Sequence, residues 1–340
     1  MRRIVMSSAL ALCCVGLVTP RLNAQSTRQV QPPAGFPAIG APPTVTVISN
    51  GAEPRKALRY VSAKGHREHL TMDFLMALNI SVGDTSLPEV KAPTLRGDVD
   101  VEVTDVNATG DMTLSTIFTD ANWIGASDSD PSMMARLNSV TSDLKGISGV
   151  TVVSSRGITR DVKLDTTKIT NPQLSQTLAG LQQVMQNVSQ PLPDEPVGVG
   201  ATWEVRSGAN ANGVQMFNTV ALQLIAMDDT SYTLKVTLEQ TAPPQVVSTP
   251  AMGGATASLD SSTGTGTGTA KVQFDKLTPT SEMNMNTKTT MSIDMGGNVQ
   301  HMNMAMSMKV AVTPGVVKPP QNPAPPRPPD STLPLPARAR

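Results

Sequence analysis

The sequence predicts an α+β fold dominated by antiparallel strands: a curved sheet or half-barrel packed by two helices, with two strand-rich halves that suggest two similar lobes. Three observations carry this expectation. Apolar residues recur with a period of two over most of the chain, turn residues punctuate those runs, and two stretches switch to a helical period with start and stop signals.

At the N-terminus, Arg2 and Arg3 precede an apolar run from Ile4 to Val18, followed by Thr19, Pro20 and the small-residue exit Leu22-Asn23-Ala24. This is the layout of a secretory signal peptide over residues 1–24, with cleavage after Ala24. The run is too short to span a bilayer, which takes roughly 20 apolar residues as a helix, and no second run of that length follows. The expectation is a periplasmic or secreted protein with no transmembrane segment. Cys13 and Cys14 lie inside the apolar run, after Leu12 where a lipoprotein signal carries a small residue. Lipid attachment at either cysteine is the alternative; otherwise cleavage leaves a chain without thiols or disulfides.

Both ends of the mature chain are rich in proline, which has no amide proton to give to a ladder. Residues 25–43 read as a Pro-rich linker, and 314–340, with ten of the 28 prolines, as a disordered tail. Both are expected to be solvated spacers, the tail also offering a place for an envelope partner. Between them, residues 44–190 form the first β-rich lobe with both helices. The segment Pro191–Gly200 reads as a connector, and 191–313 as a second β-rich lobe with a Met-rich hairpin.

The strands follow in order. From Leu70 to Val82 every even position is apolar (Leu70, Met72, Phe74, Met76, Leu78, Ile80, Val82), the pattern of a long strand with one buried face. Val99, Val101 and Val103 alternate with Asp98, Asp100 and Glu102, and after turn residues 107–111 comes Met112-x-Leu114-x-Thr116-x-Phe118, completing a hairpin with a polar outside. Further strands are expected at 150–154, 160–164, 202–206, 218–227 and 231–239, in an antiparallel sheet with one face on a core. Gly253–Ala270 reads as a Gly/Thr/Ser linker to about Ser262, then an edge strand whose Gly264, Gly266 and Gly268 allow close approach of another surface.

Each helix has its own signals. The first takes Asp130 as N-cap and Pro131 as first helical residue, carries Met133, Leu137, Val140 and Leu144 on one stripe, and stops at Gly146. The second uses Asn171 and Pro172 in the same way, then Leu174, Leu178, Leu181, Met185 and Val188, ending before Pro191. Both stripes are expected to be buried against the even face of Leu70–Val82.

Composition excludes some functions. The 27 basic and 27 acidic residues cancel and are interspersed, so no basic stripe supplies the field that nucleic acid requires. Aromatic residues are only 3% of the chain, which argues against stacking platforms for bases or sugars.

No catalytic constellation emerges, and the chain is not expected to be an enzyme or to hold a cofactor. His66 and His69 have the spacing of some zinc ligands, but three residues apart on a strand puts them on opposite faces. Asp105-x-Asn107-x-Thr109-Gly110 mimics the start of a calcium loop, yet Thr116 stands where the bidentate Glu belongs. Ser142-x-x-Lys145 matches a serine–lysine motif without its companions and sits at a helix end. Asp98, Asp100 and Glu102 are the solvated side of a strand.

The unusual feature is methionine: 19 in the chain, eight of them between Met283 and Met308. Met283, Met285, Met291 and Met295 share parity on one strand, Gly296-Gly297 turns, and Met302, Met304, Met306 and Met308 share parity on the return. Both rows face one side of a hairpin. Three readings stand: adaptable core filling, the wall of a cavity for a flexible apolar ligand, and copper(I) capture by thioethers at Met302, Met304 and Met306 with His301. The parity of His301 is opposite to that row, which counts against the third.

The stretch Val199-Gly200-Ala201-Thr202-Trp203, the small-residue strand entering Val272-Gln273-Phe274-Asp275 and the Met-rich hairpin resemble a bacterial family of exported proteins with a domain of unknown function. The resemblance covers roughly residues 66–312. Such proteins look similar in architecture to periplasmic lipoprotein carriers and related lipid binders, in which a curved sheet wraps an apolar cavity closed by helices; the resemblance transfers no functional residue. It implies a carrier for a lipid or other hydrophobic ligand; the apolar parity of the strands themselves, not the resemblance, makes Met72, Phe74, Met76, Met302, Met304, Met306 and Met308 the candidate lining residues. The alternatives are a structural envelope protein without ligand and a copper(I)-handling protein. An enclosed apolar cavity above roughly 300 Å³ bounded by the Met rows would favour the carrier.

Overall fold

The computed structural model describes residues 30–125, 130–165, 190–211, 213–248, 256–294 and 299–315. The described strands are β1 (Thr44–Ser49), β2 (Arg67–Val82), β3 (Thr85–Ser86), β4 (Val90–Lys91), β5 (Thr94–Val106), β6 (Met112–Ile124), β7 (Ser148–Val153) and β8 (Thr159–Leu164), then β9 (Thr202–Ala211), β10 (Val214–Met227), β11 (Ser231–Ala242), β12 (Gln245–Ser248), β13 (Thr256–Gln273), β14 (Thr280–Asp294) and β15 (Val299–Gly315). One α-helix, α1 (Pro131–Thr141), falls between β6 and β7. The predicted second helix lies outside the described residues.

All the strands join one antiparallel sheet in the order β1-β9-β10-β11-β13-β14-β15-β2-β5-β6-β7-β8, with β12 beside β13 and the short β3 and β4 beside β2. Among the described residues this sheet is open, not closed into a barrel. The two halves of the sequence do not separate into two lobes, because β15 pairs with β2 along fourteen residues and fuses them into one surface.

Register puts one set of side chains on a single face. Leu70, Met72 and Phe74 of β2 stand opposite Val99, Gly97 and Leu95 of β5, and Val99 stands opposite Phe118 of β6. On the other flank, Val236 and Leu238 of β11 stand opposite Gly268 and Gly266 of β13, which stand opposite Met283 and Met285 of β14. The main core unites Val103 and Met112 from β5 and β6 with Trp203, Leu222 and Leu234 from β9, β10 and β11. Four strands separate these two groups in the sheet, so their contact requires the sheet to curl around that face.

The curl is closed at its base by two irregular segments. Leu58, Leu192, Val197 and Trp203 are fully buried there, each such side chain contributing about 2–3 kcal/mol of burial. Lys56 bridges to Val197, Tyr60 donates its N–H to Ser155, Leu192 donates its N–H to Arg156, and Trp203 Nε1 donates to the Pro191 carbonyl at 3.0 Å. The stretch expected to be a plain connector is thus part of the core. Its prolines suit it, since they present carbonyls without leaving amide protons to satisfy.

The segment read as a solvated N-terminal spacer is seated on the domain from Val30 onward. Val30 N–H donates to Gln215, the ring of Phe36 meets Phe217 edge-on at 5.4 Å, and Gly40 N–H reaches the Gly208 carbonyl. Gly208 has no side chain to obstruct Ile39, whose Cδ1 lies 3.0 Å from where a Cβ would be.

α1 begins as predicted, with the Asp130 carboxylate accepting the Ser132 N–H at 2.8 Å and Pro131 following. A 3₁₀ turn at Ser142–Leu144 and Gly146 at φ +83° end it. Its stripe is not buried as expected. Met133 is 44% exposed and Leu137 half-buried, while Leu144 joins Phe118 and Ile147 in the core. The helix packs beside β6, where Asn138 Oδ1 accepts the Trp123 N–H at 2.6 Å, instead of lying across the even face of β2.

β13 also departs from expectation. It starts at Thr256, before the predicted edge of the linker, and is an interior strand between β11 and β14. Its Gly/Ser/Thr composition imitates a linker, but Ala257, Leu259, Ala270 and Val272 are buried on one side and threonines face out on the other.

Candidate functional site

The centre of the curled face is formed by β14, β15 and β2. Met302, Met304, Met306 and Met308 stand opposite Val82, Ile80, Leu78 and Met76 of β2, and on the other side opposite Met291, Thr289, Thr287 and Met285 of β14. The predicted parity therefore holds for Met283, Met285 and Met291 and for the return row, which share one face that the even row of β2 extends; Met295 and the predicted turn at Gly296-Gly297 lie outside the described residues. From Met283 to Ile293, Met302 to Val312 and Leu70 to Val82, no ionisable residue occupies this face. Within these spans the charged groups sit behind it, as in the Lys309–Glu282 pair at 2.8 Å.

Exposure grades along the face. Met72 is in the packed core with Phe118 and Ala121 of β6 and Leu144 of the 3₁₀ turn, with Phe74 against it. At the opposite end Met291 is buried with Leu259 and Val247, and Met302 and Met304 pack partly against them. Between these anchors Met306, Met308, Leu78 and Ile80 are half-buried, and Met76 is 40% exposed. Among the described residues the result is an open apolar trough bounded at each end by a buried cluster. A separate cleft of about 340 Å³ is lined by Lys271, Gln273, Thr278, Thr280, Thr313 and Pro314, none of them from the Met rows.

The bed of the trough is shaped by glycine. A Cβ on Gly266 would lie 3.0 Å from Met283 Cε and 3.1 Å from Met285 Cγ, so the two side chains rest over the vacancy that glycine leaves. The close approach predicted for the glycine strand is real, and what approaches is the neighbouring strand's own methionines.

One carboxylate marks the base of this face. Glu68, 5% exposed, accepts the N–H groups of Leu277 at 2.8 Å and Thr278 at 2.9 Å and pairs with His66 Nε2 at 2.8 Å. It ties the β13–β14 turn to β2. Nothing in the residue pattern signals this role, because a lone Glu at a strand start reads as surface.

The polar face carries a ladder between β2 and β5: Arg67 with Glu102 at 2.9 Å, His69 Nδ1 with Asp100 at 2.6 Å, Thr71 donating to Asp98 at 2.6 Å, and Arg96 forked onto Asp73 at 2.7 Å. The Arg96 hydrogen bonds hold the Asp73 carboxyl below its usual range. Asp98, Asp100 and Glu102 are therefore ladder partners and not a free carboxylate cluster. His66 and His69 take separate partners on opposite faces. Asn107 Oδ1 accepts the N–H groups of Thr109 and Asp111, which makes the calcium-like motif a hairpin turn. Ser142 Oγ donates to the Ser139 carbonyl at the helix end.

His301 points away from the Met row, 3.0 Å from Ser292 Oγ on the polar face. Met302, Met304 and Met306 are strung along one strand, roughly 6.8 Å apart per pair of residues. The arrangement does not gather His301 and these three sulfurs round one point. Among the described residues no helix is long and apolar enough to cross a membrane.

No protein-family model matches the chain, and no curated protein matches it.

Proposed function

We propose that this chain is an exported, non-enzymatic binding module that holds an elongated apolar molecule, a lipid acyl chain, along the trough of β14, β15 and β2. One observation carries the reading: an uncharged row of half-exposed methionines and aliphatics runs between two buried anchors. A half-exposed strand position ordinarily favours Val, Ile or Thr. Methionine there supplies an unbranched, polarisable surface that adapts to a flexible partner. Each methylene laid on such a wall and removed from water contributes up to about 0.8 kcal/mol. Apart from Glu68 and Asp105, the ionisable groups of β2 and β5 are engaged with one another on the other face, which supports a role without catalysis.

A second reading, a structural envelope protein whose Met rows are core, is favoured by the burial of Met291 with Met302 and Met304 against it. The two readings part at Met306, Met308 and Met76. Native mass spectrometry of the protein purified from its own host tests them: a co-purifying lipid is expected, and lipid-free protein that also ignores added fatty acid supports the structural reading. N-terminal sequencing tests export; a start at Gln25 is expected, and an intact Met1 on cytoplasmic protein opposes it.

A further inference from the structure

Strand register brings three thioethers into a single rung of the sheet. Met285 of β14 stands directly opposite Met308 of β15, and Met308 directly opposite Met76 of β2. Adjacent strands lie about 4.8 Å apart, closer than the roughly 6.8 Å between successive same-face residues of one strand. The rungs on either side hold one sulfur each, Met283 with Val310 and Phe74, and Met306 with Thr287 and Leu78. Among the described residues only this rung presents three neighbouring sulfurs, and Met283 reaches toward it over Gly266.

We propose that Met285, Met308 and Met76 form a thioether site for copper(I). Thioether sulfur is a soft, neutral donor that suits this ion. The surrounding face is apolar, and such a shell limits water around the metal. Met76 is 40% exposed, which gives the ion a way in. Met285 now rests over Gly266, and capture draws it toward Met308 by side-chain torsion, which an unbranched chain allows. No His, Asp or Glu shares the rung, so no ligand has to lose a proton. The site does not depend on the acyl-chain reading.

The test is anaerobic competition for copper(I) against a chromophoric chelator, with silver(I) as a redox-inert check, on mature wild-type protein between pH 7 and pH 5. The expected result is one ion per chain with affinity changed less than about threefold over that range. Replacing Met285, Met308 and Met76 together by Leu should weaken binding at least tenfold, whereas Met302→Leu with Met304→Leu, or His301→Ala, should leave it unchanged. Thermal melts of each variant report folding, and the wild-type pH profile stands without any variant. No competition for either ion, a tenfold loss on acidification, retention in the triple Leu variant, or loss in His301→Ala would each overturn the proposal.

Discussion

Met285 Cγ lies 3.1 Å from the point where a Cβ on Gly266 would stand, so glycine in β13 is the seat of a methionine in β14. At Gly268 the same construction meets the Glu282 carbonyl oxygen and, at 3.0 Å, Met283 Cα, which are backbone atoms. A flexible side chain yields where a backbone does not, and the backbone atom nearest the Gly266 position, the Asn284 carbonyl oxygen, stands farther off at 3.2 Å. Gly266→Ala is expected to cost less than about 1 kcal/mol and Gly268→Ala about 1–3 kcal/mol, the range of overpacking. Urea unfolding of the two variants measures the difference; equal costs would show that the methionines are not seated as described.

Glu68 joins residues about 210 positions away in sequence. Glu68→Ala removes a charged acceptor from two backbone N–H groups and strands them in the base of the sheet. The expected loss is about 3 kcal/mol, since hydrogen bonds to charged groups contribute about 1.5–3 kcal/mol each. Hydrogen exchange should show the Leu277 and Thr278 amides losing protection before the rest of β14.

Asp228 caps the turn between β10 and β11, accepting the N–H groups of Thr230 and Ser231 and the Thr230 hydroxyl. The Thr230 and Ser231 hydrogen bonds hold its carboxyl at about 2, below the ordinary 3.8. A carboxylate depressed by folding contributes stability above its unfolded value and loses it as pH falls toward the folded one. Wild type should therefore lose more melting temperature between pH 4 and pH 2 than Asp228→Asn does. Identical acid profiles would remove the turn from the account.

The Met rows separate core from wall. Replacing Met302, Met304 and Met306 together by Leu conserves volume and should cost less than about 1.5 kcal/mol per site. Gln at Met306 can turn its amide to water and should cost little, whereas Gln at Met302 and Met304 meets the buried cluster and should cost about 1–3 kcal/mol each where unsatisfied. Single-site melts resolve this gradient, and a uniform cost across the three would mean a closed core.

Much of this fold is legible in the residue pattern, because a period of two and a buried face are local properties. The even row of β2, the β5–β6 hairpin, the Asp130 cap and the shared parity of the Met rows all follow from spacing. The β15–β2 pairing does not, since strand order depends on contacts more than 200 residues apart in sequence. Burial of Leu192 and Val197 escapes for the same reason: their segment is irregular and proline-rich, and only the curled sheet makes it core. β13 was disguised by composition, as glycine lowers apparent strand character. Parity identifies which methionines share a face, but only register shows that Met285, Met308 and Met76 share a rung.

The central claim is that the trough is a binding surface for an acyl chain. Fluorescence titration of the folded protein with an environment-sensitive fatty acid, followed by displacement with the unlabelled acid, measures it directly. The account predicts saturable one-to-one binding that Met306→Gln with Met308→Gln weakens at least tenfold while the melting temperature changes by only a few degrees. Absence of saturable binding to the folded wild-type protein, or full binding by that variant, would contradict it.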